Sequence, residues 1–213
     1  MKYKWLLSIL ALASMFVSCK HETIDLYELD DAKIYFQVQS YSSANGAVGY
    51  SNSTDYSLVG VNQNVKGLTF KATMQMMGQV VDYDRECKIT IDADSTTMVE
   101  GVDYEIDLDT LKIKAGQSKA TFGVRFLRSQ NIKEKKQVLC LKLLPNKYFQ
   151  VLEKYRSTNV WSNTTAKEMD GSRFAFYMSE IYQQPRRWGE VNAGTYFGQW
   201  TATKYVFIND FFG

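Results

Sequence analysis

Apolar and polar residues alternate through the middle of this chain, in runs of five to ten residues. Ile34, Phe36 and Val38 alternate with Tyr35, Gln37 and Gln39. Leu68, Phe70, Ala72, Met74 and Met76 alternate with Thr69, Lys71, Thr73, Gln75 and Met77. Phe122, Val124 and Phe126 share one side of a run from Thr121 to Leu127. A β-strand turns successive side chains to opposite faces, so each run predicts a strand with one oily and one wet side. Shorter runs predict strands at Tyr56 to Val61, Cys87 to Ile91, Lys112 to Ala115 and Gln137 to Leu143. A polar loop from Tyr41 to Asp55 contains Asn45-Gly46, and other Gly, Asn, Asp and Ser clusters bound the remaining runs. No long helical period lies between them. Such spacing predicts a mainly β fold, an Ig-like β-sandwich over residues 33–145, in which two sheets cover each other's oily faces.

Past Pro145 the pattern loosens into a C-terminal extension, residues 146–213. Arg173 to Tyr182 predicts one more strand, with Phe174, Phe176 and Met178 in phase. Thr201 to Phe212 predicts the start of a helix, with Thr201 as its cap and Tyr205, Ile208 and Phe212 on one stripe. Trp188, three residues after Pro185, is expected to pin this segment to the sandwich.

The other end of the chain is apolar without alternation. Lys2 and Lys4 precede Leu6 to Val17, a run of 12 residues broken only by Ser8 and Ser14. That fits residues 1–18 as an export signal and falls short of the ~20 residues that span a bilayer. Phe16-Val17-Ser18-Cys19 resembles a bacterial lipobox, with Phe16 larger than the usual leucine. The Cys19 thiol is then the nucleophile that takes a diacylglycerol and opens the mature chain. Ordinary secretion with an unmodified Cys19 is the rival. Residues 19–32, with Glu22, Asp25, Glu28, Asp30 and Asp31, read as a lipid-anchored acidic tether.

Composition supports a real core: 45% of the 213 residues are hydrophobic and 14% aromatic, which argues against disorder. Loss of Lys2 and Lys4 with the signal lowers Lys plus Arg from 25 to 23, matching 23 Asp plus Glu. A neutral mature chain without a basic stripe gives no reason to expect nucleic acid. Cys87 shares an apolar face with Ile89 and Ile91, while Cys140 lies opposite Leu139, Leu141 and Leu143. The two thiols should point away from each other and stay free.

Candidate chemistry is sparse. The single histidine, His21, lies on the tether, so neither a Ser-His-Asp nor an H-E-x-x-H arrangement can be built in the fold. No phosphate loop or nucleotide fingerprint occurs, and no enzyme or cofactor is expected. Asp92, Asp94, Asp103 and Glu105 are near enough in sequence to suggest calcium, which takes several oxygens. Thr97 stands where an EF-hand loop needs glycine, and solvated turn carboxylates account for the pattern as well, so no metal is assigned. Met74 and Met76 read as core filling, since no histidine joins them for copper. Asp82 and Arg85 could pair across a turn. Aromatics offer the closest clue to a ligand. Tyr41, Tyr50 and Tyr56 crowd the polar loop, and Trp161 and Trp200 lie in the C-terminal third. Flat rings can cover the apolar faces of sugars, although they also dominate cores.

The run Gly78 to Glu105, "GQVVDYDRECKITIDADSTTMVEGVDYE", with "IKAG", "LKLLPNKYF", "QQPRRW" and "YFGQWTATKY", resembles a family of Bacteroidetes lipoproteins, the domain of unknown function 4843 type. Residues 80–144 bear a more distant likeness to Calx-β/Ig-like modules, some of which bind calcium through loop carboxylates. Members of the lipoprotein family typically sit near genes for SusC/SusD-like importers, which implies polysaccharide or peptide utilization. They usually continue beyond a motif like Thr203-Lys204-Tyr205, which implies a C-terminal helix cut short here. Asp94-Ser95-Thr96 and Asp109-Thr110-Leu111 are similar to O-glycosylation acceptors of such bacteria, or are plain turns. Lys20 after the cysteine is compatible with outer-membrane delivery and leaves the membrane face open. The resemblance thus implies a non-enzymatic outer-membrane lipoprotein that binds glycan or peptide, or the importer itself. A structural or adhesive cell-surface role is the alternative. If Cys19 is the anchor, intact-mass spectrometry of the native protein will give a chain beginning at Cys19 and carrying acyl mass; an unacylated chain, or another start, would defeat the assignment.

Overall fold

The computed structural model describes residues 32–41, 48–157, 167–188 and 193–212. Cys19, the tether and Trp161 lie outside the described residues. Among the described residues, fifteen strands follow in chain order. They are β1 (Lys33–Phe36), β2 (Val38–Tyr41), β3 (Val48–Ser51), β4 (Ser53–Ser57), β5 (Gly67–Met77), β6 (Arg85–Glu86), β7 (Lys88–Ile91), β8 (Tyr104–Ile106), β9 (Lys112–Ile113) and β10 (Lys119–Leu127). A short helix, α1 (Asn131–Glu134), precedes β11 (Gln137–Leu144), β12 (Gln150–Val151), β13 (Lys154–Ser157), β14 (Lys167–Asp170) and β15 (Arg173–Ser179). Two helices close the chain, α2 (Ala193–Phe197) and α3 (Ala202–Phe212). The fold is mainly β, with several sheets and a small helical C-terminal part.

Two larger sheets form the layers. One has the order β12-β1-β5-β10-β8 and the other β4-β15-β11-β7. Alternation does what the sequence pattern predicts. Ile34, Phe36, Ala72, Met74, Met76, Phe122, Val124 and Phe126 point inward from the first sheet. Ile89, Leu139, Leu141, Leu143, Phe174, Phe176 and Met178 meet them from the second. The phenyl rings lock across the gap: Phe36 lies 6.1 Å from Phe174, and Phe126 lies 5.3 Å from Phe176. Offset or tilted ring pairs of this kind add about 0.5–1.5 kcal/mol each beyond their burial. β15 sits between β4 and β11, so the second sheet draws on both sides of residue 145. Cys87 and Cys140 are both buried and free, and Cys140 lies outside the main core cluster.

Several elements depart from the sequence expectation. The polar stretch 41–55 is not one loop: it contributes the β2–β3 hairpin and β4. β4 runs parallel to β15 at a sheet edge, where one side faces water, so its Ser-Thr-Asp-Tyr-Ser sequence carries no apolar period. The strand expected at Tyr56 to Val61 ends at Ser57, because Gly60 (φ 85°) turns the chain. β8 and β12 have three and two residues, too few to show a period. Lys112 to Ala115 shrinks to the two residues of β9, which pair with β6.

One buried ion pair ties the sheets together at an end. Arg128 follows β10 of the first sheet, and Glu180 follows β15 of the second. The Arg128 Nε donates to Glu180 Oε2 at 3.0 Å, with the two side chains 4% and 0% exposed. Its Nη1 donates to the carbonyls of Asn62 (2.8 Å) and Val65 (2.9 Å). Its Nη2 donates to Val61 (2.9 Å) and, at greater length, Leu58 (3.5 Å). Glu180 Oε1 accepts from Gln63 and from the Tyr182 hydroxyl, both at 3.0 Å. Arg128→Met should destabilise the protein by about 3–5 kcal/mol, because it leaves the Glu180 charge buried and unpaired; urea unfolding followed by tryptophan fluorescence measures this, and a loss under 1 kcal/mol would mean the pair is dispensable.

Candidate functional site

The outward side of the first sheet carries the best-formed polar groove. Along β5 the residues between the core positions are Lys71, Thr73 and Gln75. Strand register sets Gln75 opposite Lys119, Thr73 opposite Thr121 and Lys71 opposite Gly123. Gln37 continues β1 beside them, its N–H bonded to the Thr73 carbonyl at 3.0 Å. The β2–β3 hairpin brings Tyr50 and Val38 to the edge. Gln37, Val38, Tyr50, Lys71, Thr73, Gln75 and Lys119 line a space of about 420 Å³. Thr73 and Thr121 share a hydrogen bond of 3.0 Å. The side chains of Gln37, Lys71, Gln75 and Lys119 make no hydrogen bond or ion pair with other described residues. A second groove of about 630 Å³ adjoins it through Lys119 and runs along β10 past Thr121 to Gly123. Lys112, Lys114 and Gln117 stand along that second groove.

Tyr50 is backed by aromatic neighbours. Tyr35 and Tyr155 pack with ring centroids 4.9 Å apart, and the Tyr155 hydroxyl donates to the Phe36 carbonyl at 3.2 Å. Burial pushes the Tyr155 phenol up to about 12, and repulsion from Tyr35 and Tyr50 adds to it. Burial, then Tyr50, raises Tyr35 in the same direction. Tyr35 and Tyr155 therefore stay protonated at neutral pH, a neutral aromatic wall behind the Tyr50 ring.

The other expected site residues go elsewhere. Tyr41 ends β2, and its side chain lies outside the description. Tyr56 does not face a loop: its ring stacks on Phe70 at 3.7 Å and packs against the core. Trp200 is half-buried before α3, its indole nitrogen buried without a hydrogen-bond partner among the described residues. Trp188 is buried, donates to the Gly198 carbonyl at 3.1 Å and lies 6.1 Å from Phe197. Those contacts pin the C-terminal segment to itself, where the sequence suggested the sandwich. α3 does meet the sandwich end through Tyr205, 5.9 Å from Tyr182, and through Asn209, which donates to the Gly60 carbonyl at 3.1 Å.

The acidic candidates do not converge. Asp92 pairs with Arg173 at 3.2 Å, and Glu105 pairs with Arg125 at 2.7 Å. Asp94 is exposed in a turn. Asp103 is fully buried and accepts from the Val99 N–H and from the side chains of Ser129 and Asn131, holding α1 against the turn before β8. Among the described residues no three metal-ligating side chains gather. Arg85 does not pair with Asp82: it is buried 4.8 Å from the Phe149 ring centroid and touches the Met76 sulfur. Asp84 takes the ionic role instead. The Ala115 N–H, then Lys114, hold its carboxyl down to about 2. The Ser95 and Thr110 hydroxyls bond to Asp92 and Asp107 within their turns.

A family model described as a domain of unknown function, DUF4843, matches residues 27–213. The chain belongs to this family. A Bacteroides ovatus structure of unknown function is similar at 16% identity and TM-score 0.40, covering 65% of this chain and 56% of its own. The Pseudomonas aeruginosa CupB2 chaperone is similar at 11% identity and TM-score 0.33, over 68% and 60%. Both matches take in less than two thirds of the other chain. No curated protein matches.

The groove's aromatic backing makes a pH prediction. Tyr155 has a folded-state value near 12 against 10.0 for the free phenol, so the folded state holds the proton longer. Its contribution is fully present below pH 10 and is lost as pH rises from 10 to about 12. Melting temperatures across that range should fall, and Tyr155→Phe should fall less steeply; equal slopes would show that Tyr155 does not carry the effect.

Proposed function

We propose that this chain is a non-enzymatic accessory lipoprotein of the outer membrane, anchored through Cys19, that captures a glycan for a SusC/SusD-like importer. The observation that carries the reading is the groove on the first sheet, where the Tyr50 ring stands beside the Thr73 hydroxyl and beside amide and ammonium groups that have no partner among the described residues. Sugar rings offer that combination its complement: C–H faces for the aromatic ring and hydroxyls for Gln37, Thr73 and Gln75.

The lining supports holding over reacting. The described residues around the 420 Å³ space include no carboxylate, thiol or imidazole that could pass protons or attack a bond. The buried thiols are also poor nucleophiles, since burial pushes Cys87 up to about 11. A peptide would use the same amides through its backbone but would leave the open, hydroxyl-rich sheet face poorly matched. Membrane anchorage places such a face where an importer needs its ligand.

Purified protein applied to a glycan array should bind at least one oligosaccharide. Tyr50→Ala should then weaken that binding about tenfold, the upper range of one aromatic contact, with an unchanged melting temperature. An array silent for the unmodified protein would remove the support for capture.

A further inference from the structure

We infer that the captured ligand is an acidic glycan, one bearing carboxylate or sulfate groups, laid along the strands across both grooves. This rests on the glycan reading above and names the class that the site selects. Lys71 and Lys119 are exposed at the groove, and neither has a carboxylate partner among the described residues. On the same side, Arg125 is paired with Glu105, and Lys112 and Lys114 share Asp84 at 3.3 and 3.0 Å. Of the four lysines along the two grooves, Lys71 and Lys119 are the two without a carboxylate partner among the described residues, as Lys33, Lys88 and Lys142 are on other strand faces.

The acids nearby are already engaged. Asp107, on the second groove, accepts from the Asp109 N–H and the Thr110 hydroxyl at 3.0 Å each. Asp84 accepts from the Ala115 N–H at 3.0 Å as well as from its lysines. Four ammonium groups, Lys71, Lys112, Lys114 and Lys119, against two carboxylates, Asp84 and Asp107, leave the two grooves net positive. Ammonium groups on flexible stems act as point charges and tolerate varied anion geometry, as a carboxylate or a sulfate requires.

Register supplies the length. Lys119 belongs to both grooves, and from Lys119 to Gly123 β10 rises about 13 Å. Gly123, opposite Lys71, puts no side chain beside that ammonium group, and Thr73 and Thr121 lie between the levels of the two lysines. A chain of sugars lying along β10 meets Tyr50, Gln75 and Lys71 on one flank. Lys114 and Gln117 stand at the second groove.

The test uses the full chain in neutral detergent, titrated by calorimetry with three matched oligosaccharides: a uronate form, its carboxyl-reduced neutral form and a sulfated form. The acidic forms should bind at least tenfold tighter than the neutral one at 50 mM salt, with the gap shrinking several-fold at 500 mM as screening grows. The double variant Lys71→Met, Lys119→Met should bring the acidic ligands down to the neutral level, while circular dichroism confirms its fold. The uronate and sulfate arms decide between the two anion sources. Neutral binding equal to or tighter than acidic binding would overturn the inference while leaving glycan capture standing. Binding of none of the three alongside a silent array would overturn both. Binding to anionic phosphatidylglycerol vesicles in place of the sugars would overturn it too, assigning the lysines to a lipid surface.

Discussion

Strand β5 faces two environments at once, and the rest of the molecule is arranged around that constraint. Its even-numbered residues Ala72, Met74 and Met76 are sealed in the core. Its odd-numbered residues Lys71, Thr73 and Gln75 stand on the groove. The period of two makes these inseparable: a slip of one residue would bury Lys71 and expose Met74. Core packing therefore fixes the register of the groove. Each fully buried Met or Phe contributes about 1.5–3 kcal/mol, far more than any surface contact of a lysine. The polar face is positioned by what lies behind it.

The Arg128–Glu180 pair solves a different problem. Two sheets that touch only through apolar side chains can slide, since hydrophobic contact has no direction. A buried guanidinium has direction. Desolvating both ions costs several kcal/mol, and an ion pair alone rarely offsets that. Here every N–H of Arg128 finds an acceptor, four of them backbone carbonyls of residues 58–65. The pair is best understood as fixing one alignment of sheets and loop, with apolar burial supplying most of the stability. Arg85 is the contrasting case. It is buried against Phe149 and Met76, and its Nε has no partner among the described residues, so aromatic and sulfur contacts stand beside its charge in place of oxygen.

How much of this could be read from sequence follows the physics of each element. The long strands were legible because one face of each is dry, which forces alternation over β5 and β10. β4 was not, because an edge strand with a wet side needs no apolar residue to form a ladder. Tyr56 misled because its neighbours are polar, yet the parallel pairing with β15 turns its ring onto Phe70. The acidic run from Asp92 to Glu105 looked like a ligand cluster only in one dimension; in space its members are spread over two sheets and a turn. Tyr50 was legible as an aromatic in polar company. Its partners were visible as outward residues of β5, but nothing local to Lys119 says that it stands opposite Gln75. That fact lives in long-range register, which depends on every core contact between the two strands.

The groove also shows why a sheet suits capture of a flexible polymer. A long, mobile ligand loses conformational freedom on binding, and a receptor that must also order itself loses more. Here the backbone beneath the groove is already fixed by hydrogen-bonded neighbours on both sides of β5. Only the outer reaches of Lys71 and Lys119 remain to be ordered. Those stems are the costly part, at up to about 2 kcal/mol of rotamer freedom each. Pairing each with a nearby carboxylate, as Asp84 does for Lys112 and Lys114, would add at most about 1 kcal/mol. Both ammonium groups stand at the groove without such a partner among the described residues, so an anionic ligand laid there would meet them without breaking an ion pair.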